Sequence, residues 1–332
     1  MEKLIQELQE AAEEAGKKLD KNTEWIERYA GYASEIKKNQ DAIKKVRKLF
    51  REHKPLYVYS SISKAVNSKK EKRVVFDLRY RGQSVANIKH IKDKLMLDTE
   101  ENTGKFYGIE GGESFEWKNE KAEIFRGGFL KYPDRKKGKK NNEEHRYESA
   151  LLTELSKKKR IDKVQINIQP VLLAKSRFQM PTPFSASDIK GNVKYAAKGK
   201  GGGIDLLCRT KHGNKSVLSV FELKDEYEDP KNVLRQAIAY AVFVHKLLST
   251  PKAESSIWWE LFGFKKAPNT DRPLSINVVA ALPLEKGRKP DKSFANKEVI
   301  LSNGGIFRLH YFYFSLSGKD DKVDKVETSL FE

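Results

Sequence analysis

Hydrophobic positions along this chain follow two different periods. Over the first fifty residues they recur at spacings of three, four or seven: Leu4, Ile5, Leu8 and Ala12, then Ile26, Tyr29, Ala33, Ile36, Ile43, Val46 and Phe50. That spacing lines one face of an α-helix. It predicts helices over 2–19 and 22–52, broken by the polar residues Asp20 to Thr23. Two consecutive amphipathic helices make a hairpin, an element for packing or oligomerisation.

From residue 56 the period shortens toward two. LYVYSSIS, RVVFDLRY and KFYGIE read as strands, separated by polar turns and by Gly82, Gly104, Gly111 and Gly112. A short helix is expected among them, about Ser84–Lys94. RVVFDLRYRGQ alternates basic and apolar residues, which suits a sheet face open to phosphate or simply to water. KYPDRKKGKKNNEE (131–144) then has no apolar anchor beyond Tyr132, and marks a domain boundary.

After residue 143 helical and strand-like patterns alternate. A helix over 143–159 carries Tyr147, Leu151, Leu152 and Leu155 on one side. KVQINIQPVLL (163–173) has strong β propensity. GIDLLCRT (203–210) and SVLSVFELK (216–224) form an expected antiparallel hairpin closed by KHGNK. Asp229 followed by Pro230 starts a helix with a good N-cap and a favoured first-turn proline, running to about Leu248. Strands are expected near 274–282 and 306–316. The fold class is thus α/β, or α+β overall. It has a helical hairpin (1–54), a small α+β domain (55–130) as a candidate nucleic-acid reader, a basic linker (131–142), and a domain (143–332) with a central mixed sheet flanked by helices.

Charge narrows the partner. The 332 residues carry a formal net charge of +19, most of it after residue 60. That favours a polyanion: nucleic acid first, an anionic membrane surface second. A single cysteine, Cys208, allows no disulfide within the chain and suits a reducing cytoplasm. The acidic, amphipathic start lacks signal-peptide features, and the longest apolar run, Ala237–Val244, is far short of a bilayer span. A cytoplasmic protein with no membrane partner is expected.

The chemistry concentrates at SVFELKDEYEDP (219–230). Alternation puts Glu222 and Lys224 on the face that carries Leu218 and Val220, with Phe221 and Leu223 on the other. Both faces are apolar upstream, so the strand is expected at the centre of its sheet, with its charges at the exit. In the preceding strand, Asp205 stands alone between Ile204 and Leu206. A buried carboxylate needs a charge partner or a metal. If the two strands pair, Asp205 and Glu222 meet at one sheet end. With the backbone carbonyl of Leu223 they offer the hard oxygen donors that Mg²⁺ takes, and Mn²⁺ should substitute. Lys224 stands ready to orient an attacking water or to stabilise charge on phosphorus. The competing interpretation makes Asp205 and Glu222 strand-end residues simply ion-paired with Lys224.

Asp-(x)16-Glu-x-Lys on consecutive strands, in the order helix, strand, strand, strand, helix, resembles the PD-(D/E)XK nuclease superfamily, the restriction-endonuclease-like phosphodiesterases. The resemblance covers about 143–250 and extends toward 316. It implies a glutamate on the first helix that also addresses the metal. Glu148 in RYESALLTEL is the match, with Glu144 and Glu154 as weaker choices. It implies, from one branch, a Gln-x-x-x-Tyr on the following helix, matched by Gln236 and Tyr240, one turn apart. The family's proline before the aspartate is absent, replaced by Gly203-Ile204, and the stretch from 173 to 205 is longer than the minimal core. The implied activity is Mg²⁺-dependent hydrolysis of DNA, double-stranded first, in restriction or another defence against foreign DNA. A non-catalytic nucleic-acid-binding protein on the same fold, and a repair or RNA-processing nuclease, remain open. Many enzymes of the superfamily it resembles need two active sites for a double-strand cut, so the resemblance leaves a homodimer open, with the 1–52 hairpin as the element to form it. KGKGGG (198–203) lacks the order of a phosphate-binding P-loop and is expected as a flexible basic loop beside the site. Asp225 and Glu226 are minor metal candidates. Cys208, Trp258 and Trp259 are expected in the core, and the six scattered histidines show no zinc pattern.

Overall fold

The computed structural model describes the chain except residues 51–53, 63–73, 132–142, 158–162, 188–189, 197–200, 214, 226–227, 251–252, 266–272, 285–289 and 319–320. It begins with α1 (Glu2–Lys21), α2 (Glu24–Lys38) and α3 (Gln40–Leu49). The single helix expected over 22–52 is broken at Asn39. Its side-chain amide donates to the Glu35 carbonyl at 2.8 Å, the local competition with the helical ladder that asparagine favours.

Next come β1 (Leu56–Ile62), β2 (Val74–Tyr80), β3 (Gln83–Ile91), β4 (Lys94–Thr99), α4 (Asn102–Tyr107), β5 (Ser114–Glu116) and α5 (Glu120–Lys131). The helix expected at 84–94 is instead a hairpin. Lys92 and Asp93 both take positive φ, 45° and 65°, which suits the tight turn between two twisted strands. KFYGIE, expected as a strand, falls partly on α4. Thr103 starts that turn, its hydroxyl donating to the Glu100 carbonyl at 2.8 Å. Helix α5 had no counterpart in the sequence-based expectation. The expected linker lies outside the described residues, save Lys131 at the end of α5.

The remainder contains α6 (Glu143–Leu155), α7 (Lys163–Asn167), β6 (Ile168–Pro170), β7 (Leu172–Leu173), β8 (Ser176–Phe178), β9 (Met180–Pro181), β10 (Phe184–Ala186), β11 (Val193–Tyr195), β12 (Gly203–Ile204), β13 (Leu206–His212), β14 (Lys215–Leu223), α8 (Pro230–Ser249), α9 (Ala253–Leu261), β15 (Ser275–Pro283), β16 (Glu298–Ile300), β17 (Ile306–Ser317) and β18 (Lys322–Thr328). The strand expected over 163–173 is shorter. It opens as α7 and is interrupted after Pro170, which has no N–H for the ladder. The helix at Asp229-Pro230 forms as expected, with the Asp229 carboxylate accepting from the Lys231 amide at 2.9 Å.

Two seven-stranded sheets result, an α+β architecture. The first runs β5-β4-β3-β2-β1-β8-β7 and the second β16-β17-β15-β14-β13-β6, with β18 on β17. In the second, β14, β15 and β17 are parallel neighbours and the remaining pairs antiparallel. Strand β14 is central. Leu218 and Val220 join the core that contains the apolar residues of α8. Phe221 and Leu223 join the one that contains Tyr147, Leu151 and Leu152 of α6.

Neither N-terminal piece stands apart. The apolar face of α1 (Leu4, Leu8, Ala12, Ala15 and Leu19) is buried in the same core as α8. Ion pairs Glu7–Arg235 at 3.0 Å and Asp20–Lys246 at 2.5 Å flank that contact. The first sheet borrows β7 and β8 from far downstream: β8 pairs parallel with β1, Tyr59 beside Arg177. One face of this sheet closes over Val46, Phe50, Phe125 and Phe129 of its own helices. From the other face, Tyr59 joins the core around α6. Among the described residues no helix is long and apolar enough to cross a membrane.

Leu8 is fully buried between α1 and the rest of the core, so Leu8→Ala should lower unfolding free energy by about 2–5 kcal/mol. Glu10→Ala on the exposed face should change it by less than about 0.5 kcal/mol. Urea denaturation of both variants checks that α1 belongs to the main core and is not a detachable arm.

Candidate active site

The exit of β14 is where the buried strand turns charged. Leu206 of β13 pairs with Phe221 of β14, which brings Asp205 level with Glu222, as expected from the hairpin. Asp205 sits at a bend between β12 and β13. Its Oδ2 accepts the Leu223 amide at 2.8 Å, fixing the carboxylate to the end of β14. Glu222 is 1% exposed. Its Oε1 accepts from Lys224 Nζ at 2.7 Å, while Oε2 is buried and accepts no hydrogen bond. Lys224 Nζ also donates to the Leu223 carbonyl at 3.0 Å and to Glu144 Oε2 at 3.4 Å.

These contacts set the electrostatics. Burial raises the Asp205 carboxyl from its ordinary value to about 6, with Lys224 opposing the rise and Glu148 adding to it. Burial, then repulsion from Asp205, holds the Glu222 carboxyl well above the carboxylate range, against the pull of Lys224. Burial alone would lower the Lys224 ammonium, but Glu222, Asp205 and Glu144 together hold it above its usual value. The three groups form one coupled unit in which a single ammonium serves two crowded carboxylates.

Helix α8 supplies a wall. Gln236 Nε2 donates to the Tyr240 hydroxyl at 2.8 Å, so the two residues share a face as the sequence spacing required. Burial, then the carboxylates Glu222 and Asp205, raises that hydroxyl's pKa, and the hydroxyl lies against Gly202, three residues before Asp205. Helix α6 supplies Glu148, 1% exposed, with neither oxygen accepting a hydrogen bond. It faces His145 Nδ1 at 3.5 Å and lies within the electrostatic field of Asp205. Of the weaker choices on α6, Glu144 reaches Lys224, while Glu154 pairs with Lys157 at 2.6 Å.

The donors fit a hard divalent cation in kind: two carboxylates, a backbone carbonyl, and a buried carboxylate oxygen on Glu222 with no other partner. Among the described residues, however, no three His, Cys, Asp or Glu side chains are gathered closely enough to hold a metal by themselves. Glu148 thus stands near the Asp205–Glu222 pair without closing a three-carboxylate set.

Other expectations fare differently. Of the glycines of KGKGGG, Gly201 and Gly202 pack closely against the strand segment around Thr182 and Phe184. The Gly202 amide donates to the Phe184 carbonyl at 2.6 Å, and a Cβ on Gly201 would lie 1.9 Å from the Thr182 carbonyl oxygen. Residues Lys198 to Lys200 lie outside the described residues. In DEYED, Asp229 caps α8 and Glu228 accepts from Asn232 at 2.9 Å; Glu226 lies outside the described residues. Cys208, Trp258 and Trp259 are buried as expected, and burial pushes the Cys208 thiol's pKa up.

Sequence pattern missed what the first sheet contributes. Within RVVFDLRYRGQ, two of the charges expected on an open face are not on one. Asp77 and Arg79 turn inward and pair at 2.7 Å, each side chain 12% exposed. The signal was available: in FDLRY, Asp77 and Arg79 alternate with Leu78 and Tyr80, so they share one face.

No protein-family model, curated protein or solved structure matches this chain.

The Asp205 carboxyl makes a checkable statement about pH. Its value rises on folding from 3.8 to about 6, so between those limits the folded chain holds a proton that the unfolded chain has lost. Stability from this group is therefore present at the acid end and declines as pH rises through about 6. Asp205→Asn should gain melting temperature relative to wild type as pH moves from 4 to 7.5. Thermal denaturation across that range, with chelator present, would disprove the burial of Asp205 if the difference stayed flat.

Proposed function

We propose that this protein is a Mg²⁺-dependent DNA endonuclease of the PD-(D/E)XK type. One observation carries the proposal: at the exit of a central, doubly buried strand, Asp205 and Glu222 crowd together with Lys224 as their shared counter-charge. Ion-paired strand ends placed for stability alone would not be expected to leave Glu222 with a desolvated oxygen that has no partner, because such a group is costly without a ligand. The order α6, β6, β13, β14, α8 supports the reading, as does the hydrogen-bonded Gln236–Tyr240 pair on α8.

A bound Mg²⁺ or Mn²⁺ would supply Lewis-acid polarisation of the phosphate and a more acidic water. Asp205, Glu222 and the Leu223 carbonyl are the groups to hold it, with Glu148 behind them. Lys224, hydrogen-bonded to Glu222 and to the Leu223 carbonyl, would supply positive charge to stabilise negative charge developing on a phosphate. Asp205 is fixed by the Leu223 amide, so the ligand pair is set by backbone geometry and not by a mobile loop. The net charge of +19 favours a nucleic-acid substrate. Double-stranded DNA in restriction or anti-phage defence is the narrower form of the proposal.

The test is plasmid cleavage by the full chain with Mg²⁺, beside Glu222→Ala and Lys224→Ala. Wild type should nick or linearise the plasmid, and each variant should lose at least about a hundredfold in rate. Equal cleavage by wild type and Glu222→Ala would reject the site. Cleavage of a competing RNA in preference to plasmid would move the substrate to RNA. Absence of cleavage together with Glu222-independent DNA binding would favour a binding-only protein.

A further inference from the structure

Lys224 stands on oxygens that the proposed cation would use. An ammonium carries three N–H donors. Here they meet three acceptors: Glu222 Oε1 at 2.7 Å, the Leu223 carbonyl at 3.0 Å and Glu144 Oε2 at 3.4 Å. Glu222 and the Leu223 carbonyl are, with Asp205, the groups named above to hold a divalent cation. An ammonium and a divalent cation that share these oxygens in a desolvated corner repel each other strongly. For a cation to be held there, Lys224 must loosen both of those bonds.

The third acceptor is of a different kind. Glu144 belongs to α6, not to β14, and is outside the proposed ligand set. Its side chain is 40% exposed, against 1% for Glu222, so it can turn toward the ammonium without further desolvation. Its bond to Lys224 is the longest of the three and has room to shorten. The lysine stem is flexible enough to carry the ammonium from one acceptor to another. The backbone that carries Glu144, in contrast, is pinned by the first sheet. The turn after β2 seats Gly82 (φ +79°) so tightly that a Cβ would lie 2.1 Å from the His145 carbonyl oxygen. Beside it, Asp321 bridges Arg81 at 3.0 Å and Arg146 of α6 at 2.6 Å. A first-turn glutamate also suits the positive end of a helix, but that role alone would leave cation binding untouched.

We infer that Glu144 is a positioning residue of the active site: it takes over the Lys224 ammonium when Glu222 and the Leu223 carbonyl turn to a divalent cation. Lys224 and the cation then compete for the same oxygens, and Glu144 lets both stay in the site by giving the displaced ammonium a partner beside it. Glu144 affects cation binding through Lys224 and not by its own charge. This inference rests on the nuclease proposal, and its test separates the two.

The probe is Mn²⁺ binding to the full chain, measured by electron paramagnetic resonance, for wild type, Glu144→Gln, Lys224→Met, the Glu144→Gln/Lys224→Met double variant and Glu222→Ala. Melting temperatures report folding. Glu144→Gln should weaken Mn²⁺ binding about tenfold, the scale of a lost outer-shell partner. Lys224→Met should tighten it about fivefold or more, as removal of a negatively coupled competitor does. With Lys224 already replaced, Glu144→Gln should change binding by less than about twofold, because the two residues act as one unit. Equal weakening by Glu144→Gln in both backgrounds would mean that its charge acts directly, and would overturn the inference. Unchanged or weaker binding by Lys224→Met would also overturn it, since the ammonium would then not compete. A crystal structure of the wild-type Mn²⁺ complex tests the same point without any variant. Lys224 Nζ should lie on Glu144 and off the Leu223 carbonyl; an ammonium still on that carbonyl beside the bound ion would reject the transfer. In each of these failures, impaired binding by Glu222→Ala would leave the nuclease proposal standing. Equal Mn²⁺ binding, or none, by wild type and Glu222→Ala would remove the nuclease proposal and the inference together.

Discussion

Everything around the candidate site follows from one constraint: two carboxylates are forced into a desolvated corner by the strands that carry them. Strand β14 is apolar on both faces because helices cover both, so it belongs in the middle of the sheet. Its last residues cannot escape to solvent without breaking the ladder to β15, which continues to Leu223 and to the Lys224 amide. Asp205 cannot move away either, because the β13–β14 register and the Leu223 amide hold it. Burial therefore raises both carboxyls, and a single ammonium, Lys224, divides itself among Glu222, Glu144 and the Leu223 carbonyl. The arrangement is unfavourable as a stability device. On the proposed nuclease reading, the missing charge would come from a bound cation.

The surrounding structure packs that corner on both faces. Helix α8 packs one face of β14 and presents Tyr240 and Gln236. Helix α6 packs the other face and presents Glu144 and Glu148. Each helix is backed by a second layer from elsewhere in the chain: α8 by α1, and α6 by the inner face of the first sheet. The N-terminal helices and the first sheet are thus the outer layers of a single sandwich around the site. The buried Arg177 illustrates the seam. It lies on β8, 3.7 Å from the Tyr57 ring centre, and donates to Thr153 of α6 at 2.9 Å.

The sequence was most legible where local chemistry decides structure. The Asp229-Pro230 cap, the β13–β14 hairpin, the long strands β15 and β17 and the meeting of Asp205 with Glu222 all follow from period, turn residues and register. Failures lie where neighbours decide. SVANIKHI reads equally as helix or strand, and only pairing with β2 and β4 makes it β3. Residues 172–178 give no hint that they complete a sheet begun more than a hundred residues earlier. The inward turn of Asp77 and Arg79 was written in the alternation of FDLRY, but a pair of charges on a strand defaults to solvent until a covering helix is known. Glu148 was placed on α6 by resemblance; the seating of α6 against the first sheet, through Gly82 on His145 and Arg177 on Thr153, was not, because it depends on tertiary packing alone.

The pairing of α1 with α8 has a consequence for how the molecule comes into being. Glu7 and Arg235, which meet in the finished protein, are 228 residues apart in the chain. On a ribosome the first helix emerges with its leucine face bare, and its partner is not yet made. The strands that seal the first sheet arrive only midway. Such distant closures slow folding and leave sticky surfaces waiting. They also mean that the backing layers of the carboxylate corner cannot all be in place until α8 has been made, some 228 residues after Glu7.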